Sequence, residues 1–172
     1  MRTLLLALLL TSPAALAKKP AGPTVPAQAA VLAFYAGVDA LQLASPHTDD
    51  VLGFTLDASG ASLDVVGESG WQAVQTVLTQ WGADGGTIAT KLDGVTCWEG
   101  GTVAGCAAQV HQDFTLKGAP AGSADLRASF VLEWTGDVWA VAHFHEAPVA
   151  TAPPAGTPEG GAPPREEAAP TE

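Results

Sequence analysis

The sequence predicts an α+β domain in which two helices cover one face of a curved antiparallel sheet. Three observations carry that prediction. Apolar residues recur at helical spacing in two stretches, Val31, Phe34, Tyr35, Val38 and Leu41, then Trp71, Val74, Leu78 and Trp81. From Thr87 onward the chain changes to long runs rich in β-branched and aromatic residues. The last two runs, from Arg127 to Pro148, flank Gly136-Asp137, which signals a tight hairpin.

The chain begins with export features. Arg2 supplies a positive start, Leu4 to Leu10 an apolar run, and Ala15-Leu16-Ala17 a small-residue cleavage site. Residues 1–17 are therefore expected to be a signal peptide cleaved after Ala17, leaving a periplasmic or secreted chain. The apolar run is too short to span a bilayer. The formal net charge is −11, which argues against nucleic acid or an anionic membrane as partner. Residues 18–25 read as a flexible leader.

The first helix is expected to start near Thr24 or Pro26, with Thr24 able to cap it. Ser45-Pro46 ends it, and His47-Thr48-Asp49-Asp50 reads as a polar connector or a single helical turn. Val51 to Asp57 and Ala61 to Val66 form a short hairpin around Ser59-Gly60. Ser69 can cap the second helix, which Gly82 and Gly85-Gly86 terminate. Thr87 to Glu99 and Val103 to Leu116 flank a turn at Gly101-Thr102, which sets Cys97 opposite Cys106. In an oxidising compartment that pair is expected to form a structural disulfide. Lys117 to Gly122 reads as a loop. Residues 149–172, rich in Pro, Ala and Glu, cannot bury enough apolar surface to order themselves.

Counting outward from Gly136-Asp137 gives the register of the last hairpin. Trp134 faces Trp139, Leu132 faces Val141, Phe130 faces His143 and Ala128 faces His145, all on one face. Arg127 then faces Glu146, a charge-compatible pair. The opposite face carries Val131, Ala140, Ala142 and Phe144 among Ser129 and Glu133. It is too apolar for a freely solvated surface.

The helix-one run F-Y-A-G-V-D-A-L, the D-D-V-L opening of the short hairpin and Gly70-Trp71-Gln72-Ala73-Val74 resemble the nuclear-transport-factor-2-like superfamily. The closing R-A-S-F-V-L-E-W-T-G-D-V-W-A-V-A-H-F-H-E-A-P resembles its SnoaL-like branch. Ketosteroid-isomerase-like proteins and the association (hub) domain of calcium/calmodulin-dependent kinase II are similar too. The resemblance covers about Pro26 to Pro148 and implies a cone-shaped half-barrel over residues 26–148. Its concave face would enclose an apolar pocket, with Tyr35, Trp71, Phe130, Trp139, His143 and His145 as expected lining. Its convex face would pack in a homodimer.

The chemistry is less defined. His143 and His145 could chelate a metal together with His111, but the favoured reading is one packed and one rim histidine, with no metal and no cofactor. His111 and Asp113 on the second long strand belong to a solvated face or a polar pocket wall. Tyr35 and Asp57 are the catalytic candidates. The resemblance to ketosteroid isomerases implies an acid on the sheet as proton shuttle and a helix-one Tyr as oxyanion donor. A helix Tyr bridging core and solvent and a turn Asp explain the same residues.

The expected function is an exported, noncatalytic small-molecule-binding or homodimeric assembly module, with a hydrophobic small molecule as a possible ligand. The alternative is a small isomerase or cyclase-like enzyme using proton transfer on a hydrophobic carbonyl substrate. A buried carboxylate in the pocket beside Tyr35 or a His would favour the enzyme. An acidic exported chain also fits binding to another protein.

Overall fold

A computed structural model describes residues 22–56 and 62–149. The expected signal peptide, residues 18–21 of the leader, the tail beyond Val149 and the candidate Asp57 lie outside the described residues. Helix α1 (Gln28–Asp39) leads to β1 (His47–Leu56), β2 (Ser62–Val66) and helix α2 (Gly67–Ala83). Four long strands follow: β3 (Gly86–Gly100), β4 (Val103–Leu116), β5 (Ala119–Trp134) and β6 (Trp139–Pro148). They form one six-stranded sheet in the order β2-β1-β6-β5-β4-β3. The sheet curves without closing into a barrel, and the helices pack against its inner face. It is mixed: β1 runs parallel to β6, while every other neighbouring pair is antiparallel.

The helical periodicity is realised. Val31, Phe34, Tyr35 and Val38 are buried on α1, and Trp71, Val74 and Leu78 on α2. Leu41 falls beyond α1, in a left-handed conformation with φ 57°. Neither expected hydroxyl cap forms: α1 starts from Ala27 and α2 from Val66, without side-chain caps. Instead, the Ala27 N–H donates to Glu99 Oε1 at 2.7 Å, so a carboxylate from β3 meets the positive end of α1.

Two expected connectors are shorter than the sequence suggests. His47 to Asp50 begin β1 rather than forming a turn. Of the expected loop from Lys117 to Gly122, only Lys117 and Gly118 turn the chain, both at positive φ, and β5 starts at Ala119.

Cys97 and Cys106 stand opposite each other across β3 and β4 and are bonded. The disulfide lies two residues from Glu99, and so braces the strand end that caps α1. Replacing both cysteines by alanine is expected to cost about 2–3 kcal/mol, because the closed loop is short. Urea unfolding with and without a thiol reductant measures it.

The closing hairpin departs from the counted register. Trp134↔Trp139, Glu133↔Ala140 and Leu132↔Val141 pair as expected. The next pair is Val131↔His143, so Ala142 is an extra residue in β6 and forms a β-bulge. Beyond it the alternation reverses. Phe130 faces Phe144, Ala128 faces Glu146, and Arg127 faces Ala147 rather than Glu146. His143 and His145 therefore point outward and are exposed, whereas Phe144 and Glu146 point inward and are buried.

Burial of Phe144 is the physical reason for the reversal. Its ring completes an aromatic cluster around Phe34, with ring centroids 5.4 Å from Phe34, 6.1 Å from Trp71 and 6.4 Å from Phe130. Gly53 on β1 makes room for it: a Cβ there would lie 2.1 Å from the ring. A regular β6 would bury two imidazoles and expose this phenyl ring, which the hydrophobic effect disfavours.

Candidate functional site

The bulge also turns a carboxyl group into the core. Glu146 is 5% exposed. The Tyr35 hydroxyl donates to its Oε1 at 2.5 Å, and the Thr55 hydroxyl donates to its Oε2. Three elements thus converge on one side chain. Helical spacing places Tyr35 on the buried face of α1 beside Phe34, β1 presents Thr55, and β6 presents Glu146.

Burial raises the Glu146 carboxyl above its ordinary value; the two hydroxyl hydrogen bonds and the charge of His145 pull it back only in part. Burial also raises the Tyr35 phenol, as do the charge of Glu146 and the hydrogen bond to it. Tyr35 therefore stays neutral and acts as a donor.

Glu146 and Thr55 open onto a cavity of about 390 Å³ between α2 and the inner face of the sheet. The walls are mainly apolar, with Phe34, Phe144, Phe114, Leu78 and Ile88 prominent. Among the described residues its other polar side chains include Gln80, Asp84 and Gln112, and no Lys or Arg lines it. An apolar hollow with few polar groups suits a small molecule.

The sequence-predicted site residues separate. Tyr35 stands at the site, but behind Glu146, and its hydroxyl is engaged there rather than with the cavity. Trp71 and Phe130 belong to the core and do not line the cavity. The Trp71 ring stacks on His47 at 4.3 Å, and its Nε1 donates to the Leu43 carbonyl at 3.3 Å. Trp139 lines a separate hollow of about 180 Å³ with Ser45 and Pro46, its Nε1 donating to the Val25 carbonyl at 2.9 Å. His143 and His145 lie on the outer face, where His145 stacks on Phe54 at 5.2 Å. Their removal from the pocket is the direct consequence of the bulge at Ala142.

His111 is held between Asp125 at 2.7 Å and Asp113 at 3.2 Å. The hydrogen bond to Asp125 is the main cause of its raised pKa. Its ring nitrogens thus already have carboxylate partners, and β5 lies between it and the two β6 histidines. Among the described residues no three or more His, Cys, Asp or Glu side chains are grouped to hold a metal ion.

Sequence reasoning missed Glu146, Thr55 and Gln112. A usable signal was present in His143-Phe144-His145. Requiring the aromatic ring to be the inward residue would have imposed a bulge upstream and brought Glu146 inward with it.

Known proteins place this architecture. Curated proteins give no match. A solved structure from Novosphingobium aromaticivorans, described as a candidate aromatic ring hydroxylase, is similar at 20% identity and TM-score 0.59, covering 72% of this chain and 87% of that one. A candidate ketosteroid isomerase from Shewanella frigidimarina is similar at 13% identity and TM-score 0.53, covering 69% and 92%. The hub of calcium/calmodulin-dependent kinase II from S. rosetta is similar at 17% identity and TM-score 0.51, covering 74% and 99%. At these identities the likeness is one of fold. The family model of the SnoaL-like domain matches residues 27–151, and the chain belongs to that family.

Proposed function

We propose that this chain binds a small hydrophobic carbonyl compound in the cavity and that Glu146 moves a proton to and from the carbon beside the carbonyl. The observation that carries the reading is a buried carboxyl group on the wall of an otherwise largely apolar hollow. A general base works best when its pKa lies near the working pH, and burial raises that of Glu146 in this direction. Ionised, Glu146 takes the α-proton and leaves an enolate. Protonated, it returns the proton to the same or a conjugated carbon. Tyr35 and Thr55 are positioning residues that fix the carboxyl plane through both oxygens. This is the enzyme alternative of the sequence reading, favoured now by the acid beside Tyr35.

Benzylacetone, a neutral ketone with exchangeable α-protons, tests it. In heavy water the protein should accelerate loss of its α-proton signals in NMR spectra, and Glu146→Gln should remove the acceleration. A wild-type rate equal to that of buffer would leave binding without catalysis.

A second reading, homodimeric assembly, has its own observation. Trp98, Gly105, Val131, His143, Leu52 and Val66 are successive partners across all six strands. These positions share the outer face, where Trp98 is 65% and Leu52 50% exposed. A transverse stripe of Trp98, Val131, Leu52 and Val66, interrupted by His143, fits a second copy of the same face. Similarity to a hub domain supports the same partner. Sedimentation at micromolar concentration should show a dimer, and Leu52→Lys with Val131→Lys should convert it to monomer. A wild-type monomer would remove this reading.

A further inference from the structure

One buried polar group in the cavity takes no part in holding Glu146. Gln112, on β4, is 8% exposed and lines the cavity. Its carboxamide makes a single hydrogen bond, from Nε2 to Thr90 Oγ1, at a long 3.4 Å. A carboxamide can donate two hydrogens and accept at its oxygen. The remaining capacity of Gln112 has no partner among the described residues. Buried polar groups are normally satisfied, and one left open toward a hollow is suited to a ligand.

The sheet register places this group away from the acid. Glu146 pairs with Ala128, and Ala128 with Ala108. Gln112 is four residues further along β4, or about 13 Å at roughly 3.3 Å per residue. Apolar walls, including Phe114 and Phe144, lie within the same cavity. Asp84 adds a second carboxylate to its lining, and no Lys or Arg among the described residues lines it, so an anionic ligand would meet repulsion there.

We propose that Gln112 is the orienting, specificity-determining residue of this cavity. Its ligand is an elongated, uncharged molecule with an apolar body, a carbonyl at the Glu146 end and a hydroxyl or second carbonyl at the Gln112 end. The Glu146 end rests on the proton-transfer reading above; the Gln112 end stands on the open carboxamide.

Three probes separate the possibilities: benzylacetone, para-hydroxybenzylacetone and para-carboxybenzylacetone, titrated by calorimetry. The hydroxyl compound should bind about 10-fold tighter than benzylacetone, and the carboxylate should not bind measurably. Gln112→Met should erase the hydroxyl preference, so that the two neutral compounds bind with equal affinity. Should that variant fail to fold by circular dichroism, Gln112→Leu provides the same comparison. A preference that survives replacement of Gln112, its absence in the wild type, preferred binding of the carboxylate, or failure of both neutral probes to bind would overturn the proposal. Proton exchange is read separately: a wild type that shows the preference without exchange sinks only the proton-transfer reading.

Discussion

Glu146→Gln is expected to lower protein-catalysed exchange of the benzylacetone α-protons by about 10²–10⁴-fold, the usual contribution of a positioned general base. Glutamine has the same shape, so the aromatic cluster beside it should remain packed. The Tyr35 hydroxyl can still donate to the side-chain oxygen, and the Thr55 oxygen can accept from the new amide. The variant therefore removes the titrating group and little else.

The pH dependence gives an independent readout with a defined sign. The Glu146 pKa is raised in the folded protein above its ordinary value of 4.5. Its protonated form is therefore the one that folding favours. The corresponding stability is complete below the ordinary glutamate value and is lost as pH rises through the raised value, where a buried charge must form. Wild-type unfolding free energy should fall across that window, and Glu146→Gln should flatten the fall. Catalysis should run the other way: exchange needs the ionised form and should increase with pH through the same value. If exchange decreased instead, Glu146 would be serving as a hydrogen-bond donor and not as a base.

Phe144→Ala is expected to destabilise the fold by about 3–5 kcal/mol, the range for removing a buried aromatic ring. The ring is 1% exposed and packs against Phe34, Trp71 and Phe130. His143→Ala and His145→Ala, on either side of it, should each change stability by no more than about 0.5 kcal/mol, as exposed positions do. Urea unfolding of the three variants tests the bulge directly. A regular register would give the opposite ranking, with large losses at the histidines and a small one at Phe144.

The contrast between these neighbours shows what was legible and what was not. The amphipathic spacing of Val31, Phe34, Tyr35 and Val38 survives folding because a helix is a local structure with a fixed period. The same is true of Trp71, Val74 and Leu78 on α2. The turns at Gly101-Thr102 and Gly136-Asp137 were readable, because hairpin geometry restricts the residues that fit. The pairing of Cys97 with Cys106 then followed by counting. The two connectors at His47 and Lys117 were misread because polar and glycine-rich stretches can extend or turn with similar ease.

The site depended on non-local facts. One extra residue at Ala142 reverses every side chain after it, and nothing in W-A-V-A-H-F-H-E-A-P marks which alanine is the extra one. That choice is made by the packing of Phe144 over Gly53 and beneath Phe34, residues far away in sequence. The parallel pairing of β1 with β6 is of the same kind and brings Thr55 to Glu146.

The sequence by itself determined the α+β class, both helix faces, the long hairpins and the disulfide pair, because each rests on local periodicity or on turn chemistry. Only the tertiary structure decided that Glu146 rather than His143 and His145 faces the interior, and that Tyr35 supports it from behind. The reason is that strand alternation has a period of two: a single bulge inverts the inward set, and long-range packing selects where the bulge sits.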